Sequence, residues 1–402
     1  MKYVIVLGDG MADEPIPELG NQTPLACART ENLDALSAVS EIGMVHTIPD
    51  GMKPGSDTAN LSVMGYDPRQ YYSGRSPLEA LSIGVPMKET DIALRCNLVT
   101  VSGRESDPFE AYTMTDHSAG EISTEDAAAL LKAVKKELEN ETYRFYKGTS
   151  YRHCLIWECG QAVELTPPHD ILGQTIGPYL PKDPVLYEMM KKSYTILAHH
   201  PINEERRRQG RSPANCCWFW GAGTKPMLSG FEQAHQKKGV MISAVDLLKG
   251  IAVGAGMDNI EVEGANGGLD TNYEGKAGAA VKALAEDGYD FAYIHIEAPD
   301  EMGHQGSAER KIKAIENIDM RVIKPLKQGL DDAGVSYRML VLPDHPTPVR
   351  LRTHTGDDVP YLLYDSTRPV KGNCLYNEKE AAATGIRIGK GHELILRLFL
   401  EQ

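Results

Sequence analysis

Five consecutive apolar residues, Tyr3-Val4-Ile5-Val6-Leu7, stop abruptly at Gly8-Asp9-Gly10. A short unbroken apolar run closed by glycine predicts a buried strand. Residues 31–39 then read as a helix, with Thr30 standing where an N-cap belongs. A short helix is predicted over 57–64, opening at Ser56, and a strand from Ile92 through IALRCNLVTV. The middle of the chain changes character. Ser123 caps a clear helix through 139, residues 143–158 form a hairpin around Lys147-Gly148, and a polar helix covers 184–198. The basic stretch 204–211 reads as a surface connection. From 214 onward, strand and helix patterns alternate again. Strands are expected within 214–223, 239–244, 259–264, 290–297, 337–345 and 361–365, and helices over 276–286 and 308–329.

Such alternation favours an α/β fold with a doubly wound, largely parallel sheet. The intervening pattern differs, so we expect a discontinuous α/β domain, 1–95 with 216–402, carrying an inserted α+β domain over 96–215. A chain of 402 residues has room for both.

A net charge of −14 excludes nonspecific nucleic-acid binding, which needs a positive surface. It leaves anionic substrates open, because divalent cations can reverse the field inside one cleft. No stretch approaches the roughly 18 apolar residues of a membrane span, and the first apolar run is too short for a signal-peptide core. A cytoplasmic protein is therefore expected. Its seven cysteines (Cys27, Cys96, Cys154, Cys159, Cys216, Cys217 and Cys374) are odd in number and contain no CxxC pair, which predicts reduced thiols.

Acids and histidines recur just past the apolar runs. Asp9, Asp300 and Asp344 each follow a strand candidate, and ligands gather at the carboxyl ends of strands in open α/β sheets. Asp300 and His304 are spaced i, i+4 and share one face of a helical turn. Asp344 and His345 are adjacent between Pro343 and Pro346, and His354 follows in RTHTG. Mixed carboxylate and imidazole donors suit Mn or Zn better than Ca, with Mg admissible when waters complete its shell. Two such ions can polarise a phosphoryl group and activate a nucleophile. Ser56, in PGSDTAN, is the candidate nucleophile, because a hydroxyl opening a helix feels the positive end of its dipole. The plainer alternative is that Ser56 is an N-cap. Gly221-Ala222-Gly223 and Gly254-Ala255-Gly256 lack the rest of a dinucleotide fingerprint, and no GxxxxGK[ST] loop is present. Arg206-Arg207-Arg208 reads as a solvated helix end, and Trp218 with Trp220 as core.

Taken together, Asp9, PGSDTANLSVMGYDP, PDEMGH, PDH and THTG resemble the archaeal-type, cofactor-independent phosphoglycerate mutases of the alkaline phosphatase superfamily. The resemblance runs over nearly the whole chain, including YYSGRSPLEAL and ALRCNLVTV. It implies an alkaline-phosphatase-like fold, two divalent metal ions and no 2,3-bisphosphoglycerate. By position, Asp300, His304 and His354 would hold one metal, and Asp9, Asp344 and His345 the other, with Ser56 at the junction as nucleophile. Ser56 would take phosphate from one hydroxyl of a phosphoglycerate and return it to the other, while the inserted domain held the glycerate and closed over it. Two departures stand out. Asp116-His117-Ser118-Ala119-Gly120-Glu121 and Trp220 occupy places where the family pattern has arginine. A branch of the family proposed to act as homoserine kinases resembles this chain in GDGMAD and the Trp-Gly-Ala-Gly segment. The alternatives are thus a homoserine kinase-like phosphotransferase or a simple phosphomonoesterase. Arg75, Arg95, Asn97, His117, Arg152, His153 and Lys225 are the candidates for the substrate pocket of a small phosphorylated metabolite.

Overall fold

The computed structural model describes residues 1–104, 106–372 and 375–400. Its strands are β1 (Lys2–Gly8), β2 (Glu41–Val45), β3 (Ile92–Ser102), β4 (Thr113–Asp116), β5 (Tyr143–Tyr146), β6 (Arg152–Trp157), β7 (Cys216–Thr224), β8 (Gly239–Ile242), β9 (Asp258–Asn259), β10 (Phe291–Ile296), β11 (Tyr337–Leu342), β12 (Val359–Asp365) and β13 (Arg387–Ile388). They fall into two compact units, one formed by 1–72 with 227–402 and the other by 73–226.

The first unit is built on an eight-stranded sheet in the order β13-β2-β12-β11-β1-β10-β8-β9. β1 lies at its centre, parallel to β10 on one side and β11 on the other. The sheet is parallel through β8 and β9, whereas β12 runs antiparallel to both β11 and β2. Both faces of β1 are covered, which is why its apolar run does not alternate. Val4 and Val6, with Ala292, Ile294, Met339 and Val341, pack against the helices Tyr273–Ala285, Ala308–Ile318 and Lys324–Asp332. On the opposite face, Tyr3 meets Phe399 edge-on and Phe291 stacks on Phe231.

The Thr30 cap and the strand expected over 259–264 fail here for local reasons. The helix expected over 308–329 forms and continues to Asp332, passing through a π turn at Asp319–Ile323. Asp319 leaves that turn to accept the Leu33 amide at 2.7 Å and the Asn32 side-chain amide at 2.7 Å. Helix Glu31–Ser37 is therefore capped from a distant element, and Thr30 makes no side-chain cap. The strand expected over 259–264 ends at Asn259. The Asn272 side chain claims the Glu263 carbonyl at 2.8 Å, and Ala265 N–H turns back to Val262.

The second unit is an antiparallel sheet, β4-β3-β6-β5, with β7 also paired to β3. Helices Thr124–Leu138 and Pro184–Leu197 bury Leu130, Leu131, Leu186 and Met190 with Cys96, Leu98 and Phe219. Trp218 and Trp220 are buried, as their pattern predicted. The unit begins and ends beyond the expected junctions. β3 and β7 pair from Ile92↔Thr224 to Val99↔Cys216, so the expected junction at 95/96 falls inside β3 and that at 215/216 at the first residue of β7. Helix Arg75–Ser82 belongs to this unit too, and Ser76 Oγ accepts the Arg95 amide at 3.0 Å. Arg206 contradicts the surface reading of 204–211. It lies inside, 2% exposed, and donates to the carbonyls of Ser212 (2.9 Å) and Ala119 (2.6 Å).

The described cysteines are all free of disulfides, and Cys374 lies outside the described residues. No helix among the described residues is long and apolar enough to cross a membrane.

Candidate active site

The first unit gathers six acid and histidine side chains and one serine at the carboxyl ends of β1, β10 and β11. Asp9 follows β1, and its amide bonds the Ile296 carbonyl at the end of β10. Asp300 and His304 lie on helix Ala298–His304, directly after β10. Asp344 and His345 follow β11.

Close packing of these loops has identifiable causes. Gly10 sits at φ +59°, and a Cβ there would meet Asp300 Oδ1 at 2.6 Å and Thr347 Oγ1 at 2.5 Å. Its amide donates to Asp344 Oδ1 at 3.1 Å. The fully buried Lys311 ammonium ties the two segments together, donating to the carbonyls of Ala12 and Thr347, both at 2.9 Å, and to Asp13 at 2.7 Å.

Ser56 opens helix Ser56–Val63 behind Gly55, but its side chain caps nothing. Its Oγ instead lies 3.1 Å from His345 Nε2 and 3.4 Å from Asp9 Oδ2. The geometry thus parts from the plain N-cap alternative. One turn on, Asn60 donates to the Ser56 carbonyl (2.8 Å) and to Asp344 Oδ2 (2.9 Å).

Two groups of donor atoms lie within 4.8 Å of one another. One is Asp300, His304 and His354; the other is Asp9, Asp300 and His345. Asp300 belongs to both. Asp344 approaches the second through His345 Nε2, 3.4 Å from its Oδ2. The His304 ring is oriented by the Arg352 carbonyl at 2.9 Å from Nδ1, which turns Nε2 toward His354 (3.1 Å) and Asp300 (3.2 Å).

These residues fit divalent cations. Burial, and then the charges of Asp344, Asp300 and Glu297, push the Asp9 carboxyl well above its ordinary range. Asp9 Oδ1 is buried with no hydrogen-bond partner. A buried carboxylate oxygen left bare among like charges is costly unless positive charge comes to it. Asp300 feels the opposite balance. Burial pushes it up, and hydrogen bonds from His304 and His354 outweigh burial and hold it well below.

Some residues of this centre were not singled out from the sequence. His295, in β10, is fully buried with Nε2 2.8 Å from Asp9 Oδ2. Tyr293, two residues earlier on the same strand face, donates to Asn60 Oδ1 at 2.6 Å. The signal available was a histidine inside an otherwise apolar run, FAYIHI.

The pocket candidates lie in the second unit and only partly assemble. Arg75 and Arg95 converge on the Glu79 carboxylate, Arg75 Nε at 2.9 Å and Arg95 through both Nε and a terminal nitrogen. Burial raises Glu79, and the two arginines outweigh it and hold the carboxyl below its usual range. The Arg95 guanidinium also lies 4.5 Å over the Trp220 ring. Asn97 accepts from Trp220 Nε1 at 3.2 Å and reaches the His117 carbonyl at 3.4 Å. Arg152 pairs in register with Asn97 and rests beside the Tyr151 ring, which the His117 ring meets edge-on.

His153 does not join them. Successive strand residues point to opposite faces, and His153 is buried with Nδ1 accepting the Gly148 amide at 3.1 Å. Lys225 lines a separate cavity with Leu81, Met87, Arg144 and Glu158. The segment 116–121 satisfies itself. Asp116 accepts the amides of Ser118 (2.8 Å) and Gly120 (2.7 Å), and Ala119, Gly120 and Glu121 all carry positive φ.

A mixed α/β enzyme with a serine at the focus of strand-end carboxylates and imidazoles is the class that this fold and site define. A family model described as 2,3-bisphosphoglycerate-independent phosphoglycerate mutase matches residues 38–203. The 2,3-bisphosphoglycerate-independent phosphoglycerate mutase of Methanosarcina mazei is 46% identical over 390 residues, covering 96% of each chain. That of Methanothrix thermoacetophila is 44% identical over 398 residues, covering 98% of each. Among solved structures, the cofactor-independent phosphoglycerate mutase of Thermoplasma acidophilum superposes with a TM-score of 0.66 at 28% identity, over 99% of both chains. The PH0037 protein of Pyrococcus horikoshii gives 0.82 at 29%, over 100% of this chain and 98% of that one. The chain belongs to the 2,3-bisphosphoglycerate-independent phosphoglycerate mutase family.

Proposed function

We propose that the protein interconverts 2-phosphoglycerate and 3-phosphoglycerate through a phosphoserine at Ser56. The observation that carries this reading is the placement of Ser56 Oγ, 3.1 Å from His345 Nε2 and 3.4 Å from Asp9 Oδ2, in a chain 46% identical to a named mutase over nearly its full length. In the first half-reaction Ser56 Oγ bonds to phosphorus and the phosphorus–oxygen bond to the glycerate breaks. The serine proton ends on the departing hydroxyl. The second half-reaction reverses this at the neighbouring hydroxyl, so no water, nucleotide or 2,3-bisphosphoglycerate is consumed.

Asp300, His304 and His354 would hold one divalent ion, and Asp9, Asp344 and His345 the other, Mn, Zn or Mg according to supply. Bound ions would lower the pKa of the serine hydroxyl and neutralise the phosphoryl oxygens. The chain's own part is orientation. Gly10 N–H, His345 N–H and Asn60 hold the Asp344 carboxylate, and the Asn60 bond to the Ser56 carbonyl fixes the turn from which Oγ projects. Arg95, Arg75, Asn97, His117 and Arg152 of the second unit are the groups we assign to the glycerate. Glu79 neutralises part of that charge, leaving one net positive charge among Arg75, Arg95 and Glu79 to meet a carboxylate. His153 and Lys225 are not part of this assignment. We assign the work to the cytoplasm, with a small phosphorylated metabolite as substrate and no nucleic-acid or membrane partner. Homoserine as acceptor and plain phosphatase action rank lower, because relatives at 44–46% identity carry the mutase name.

The test is turnover of 3-phosphoglycerate by manganese-loaded protein, with intact mass measured after quenching. Wild type should gain one phosphoryl group and Ser56→Ala none, with turnover lost. Retention of either property by Ser56→Ala would reassign the nucleophile. Turnover of homoserine with a phosphate donor, without turnover of phosphoglycerate, would reassign the substrate.

A further inference from the structure

β10 presents two polar side chains to the site from one face, of which one reaches Asp9 directly and the other is linked to Asp344 through Asn60. His295 Nε2 lies 2.8 Å from Asp9 Oδ2, and His295 Nδ1 lies 3.2 Å from Ser243 Oγ. Ser243 Oγ also accepts the Val245 amide at 3.0 Å. An ionised carboxylate only accepts, so a neutral imidazole must place its single proton on Nε2. Nδ1 then accepts from the Ser243 hydroxyl, and every hydrogen in the chain Val245–Ser243–His295–Asp9 has one place to go. The second chain is equally determined. Tyr293 Oη donates to Asn60 Oδ1 at 2.6 Å, which turns both amide hydrogens of Asn60 toward acceptors, Asp344 Oδ2 and the Ser56 carbonyl. His295, Asn60 and Asp344 are fully buried, so these bonds have no water to compete with them.

We propose that Tyr293 and His295 are positioning residues for the cation beside Ser56, with His295 occupying one oxygen of Asp9 so that the other is presented bare, and Tyr293 orienting Asp344 through Asn60. The inference rests on reading Asp9 and Asp344 as cation ligands. Its support is the asymmetry at Asp9. Oδ2 is engaged, and Oδ1 is buried without a partner, 3.6 Å from His345 Nε2. Partners of this kind typically tune metal affinity by 10–100-fold. Neither residue lies in hydrogen-bond contact with the other donor group, in which His304 is held by Arg352.

The experiment is a Mn(II) titration of metal-free protein, followed by the paramagnetic resonance of the free ion. It compares wild type with Tyr293→Phe, His295→Leu and His295→Gln, alongside the thermal midpoint of each metal-free variant. Tyr293→Phe removes only a hydroxyl, and Gln can both donate to Asp9 and accept from Ser243. We expect wild type to bind two ions. Tyr293→Phe and His295→Leu should weaken one by tenfold or more and leave the other within twofold, and His295→Gln should recover most of the loss. Two unchanged affinities in Tyr293→Phe and His295→Leu overturn the inference. So does equal weakening of both ions with a lowered metal-free midpoint, which marks general structural damage. Wild type that binds no Mn(II) overturns the two-cation reading itself.

Discussion

The Nε2 atoms of His304 and His354 face each other across 3.1 Å. His304 Nδ1 lies against the Arg352 carbonyl, which can only accept, so Nδ1 keeps its proton and Nε2 is the atom whose proton a cation would displace. With the Asp300 oxygens 3.2 and 3.5 Å away, three potential donor groups share one small volume. A cation relieves that crowding. Manganese at a hundred times its dissociation constant should therefore stabilise the fold by about 2.7 kcal/mol per site. Thermal scans with and without a chelator measure this. His354→Ala should lose part of the metal-dependent rise, and an undiminished rise would place the ion elsewhere.

Gly10 tests how tightly the strand ends must pack. Gly10→Ala puts a methyl within 2.6 Å of Asp300 Oδ1 and 2.8 Å of Asp300 Cα, at a φ that disfavours any side chain. Overpacking and backbone strain together should cost about 2–4 kcal/mol. Displacement of Asp300 should also weaken metal binding. Urea unfolding and metal analysis of the purified variant report the two effects separately.

Arg206 should behave as a buried structural cation. It satisfies two carbonyls and stands 3.5 Å from Asp126. Arg206→Met leaves those acceptors empty and should destabilise the protein by about 3 kcal/mol. Arg207→Met, at a more exposed neighbour, should cost under about 1 kcal/mol. Equal costs for the two would contradict the buried role.

His153 sets an acid-side limit on stability. Burial first, and the Lys147 charge second, lower its pKa from 6.5 to about 4. Between those values the unfolded chain takes up a proton that the folded chain refuses. The contribution is complete above pH 6.5 and is lost as pH falls toward 4, by up to about 3 kcal/mol. His153→Asn keeps an acceptor for Gly148 N–H without the titration. Denaturant midpoints measured from pH 7 to 4.5 should fall less steeply for that variant, and parallel slopes would exclude His153 as the cause.

Much of the site could be read from the sequence because it is written in residues that interrupt apolar runs. Asp9, Asp300, Asp344 and His345 stand just past strands, and a parallel sheet lines up its strand ends. Ser56 was visible beside Gly55, yet only the fold separates a serine that caps its helix from one turned toward His345. His295 and Tyr293 stayed hidden because they lie inside a run that reads as core, and Asn60 because it reads as one more polar residue of a short helix. Arg206 was misread because three arginines look solvated until the carbonyls of Ala119 and Ser212 are seen around one of them. Asp319 could not have been found as the cap of the Glu31–Ser37 helix, since a π turn nearly 290 residues away delivers it. Arg95 and Trp220 show a further limit. Their ring contact depends on the pairing of β3 with β7, which local patterns do not specify.

The central position of β1 bears on how the chain is made. Tyr3 pairs with Phe291 in β10, the first of its two neighbours to be made, so at ribosomal rates of 5–20 residues per second the first strand waits about 15–60 s for a partner. The contiguous stretch 73–226 can complete its own sheet in that interval. Meanwhile an apolar β-rich segment remains unpaired, and a holding chaperone would find its natural target there.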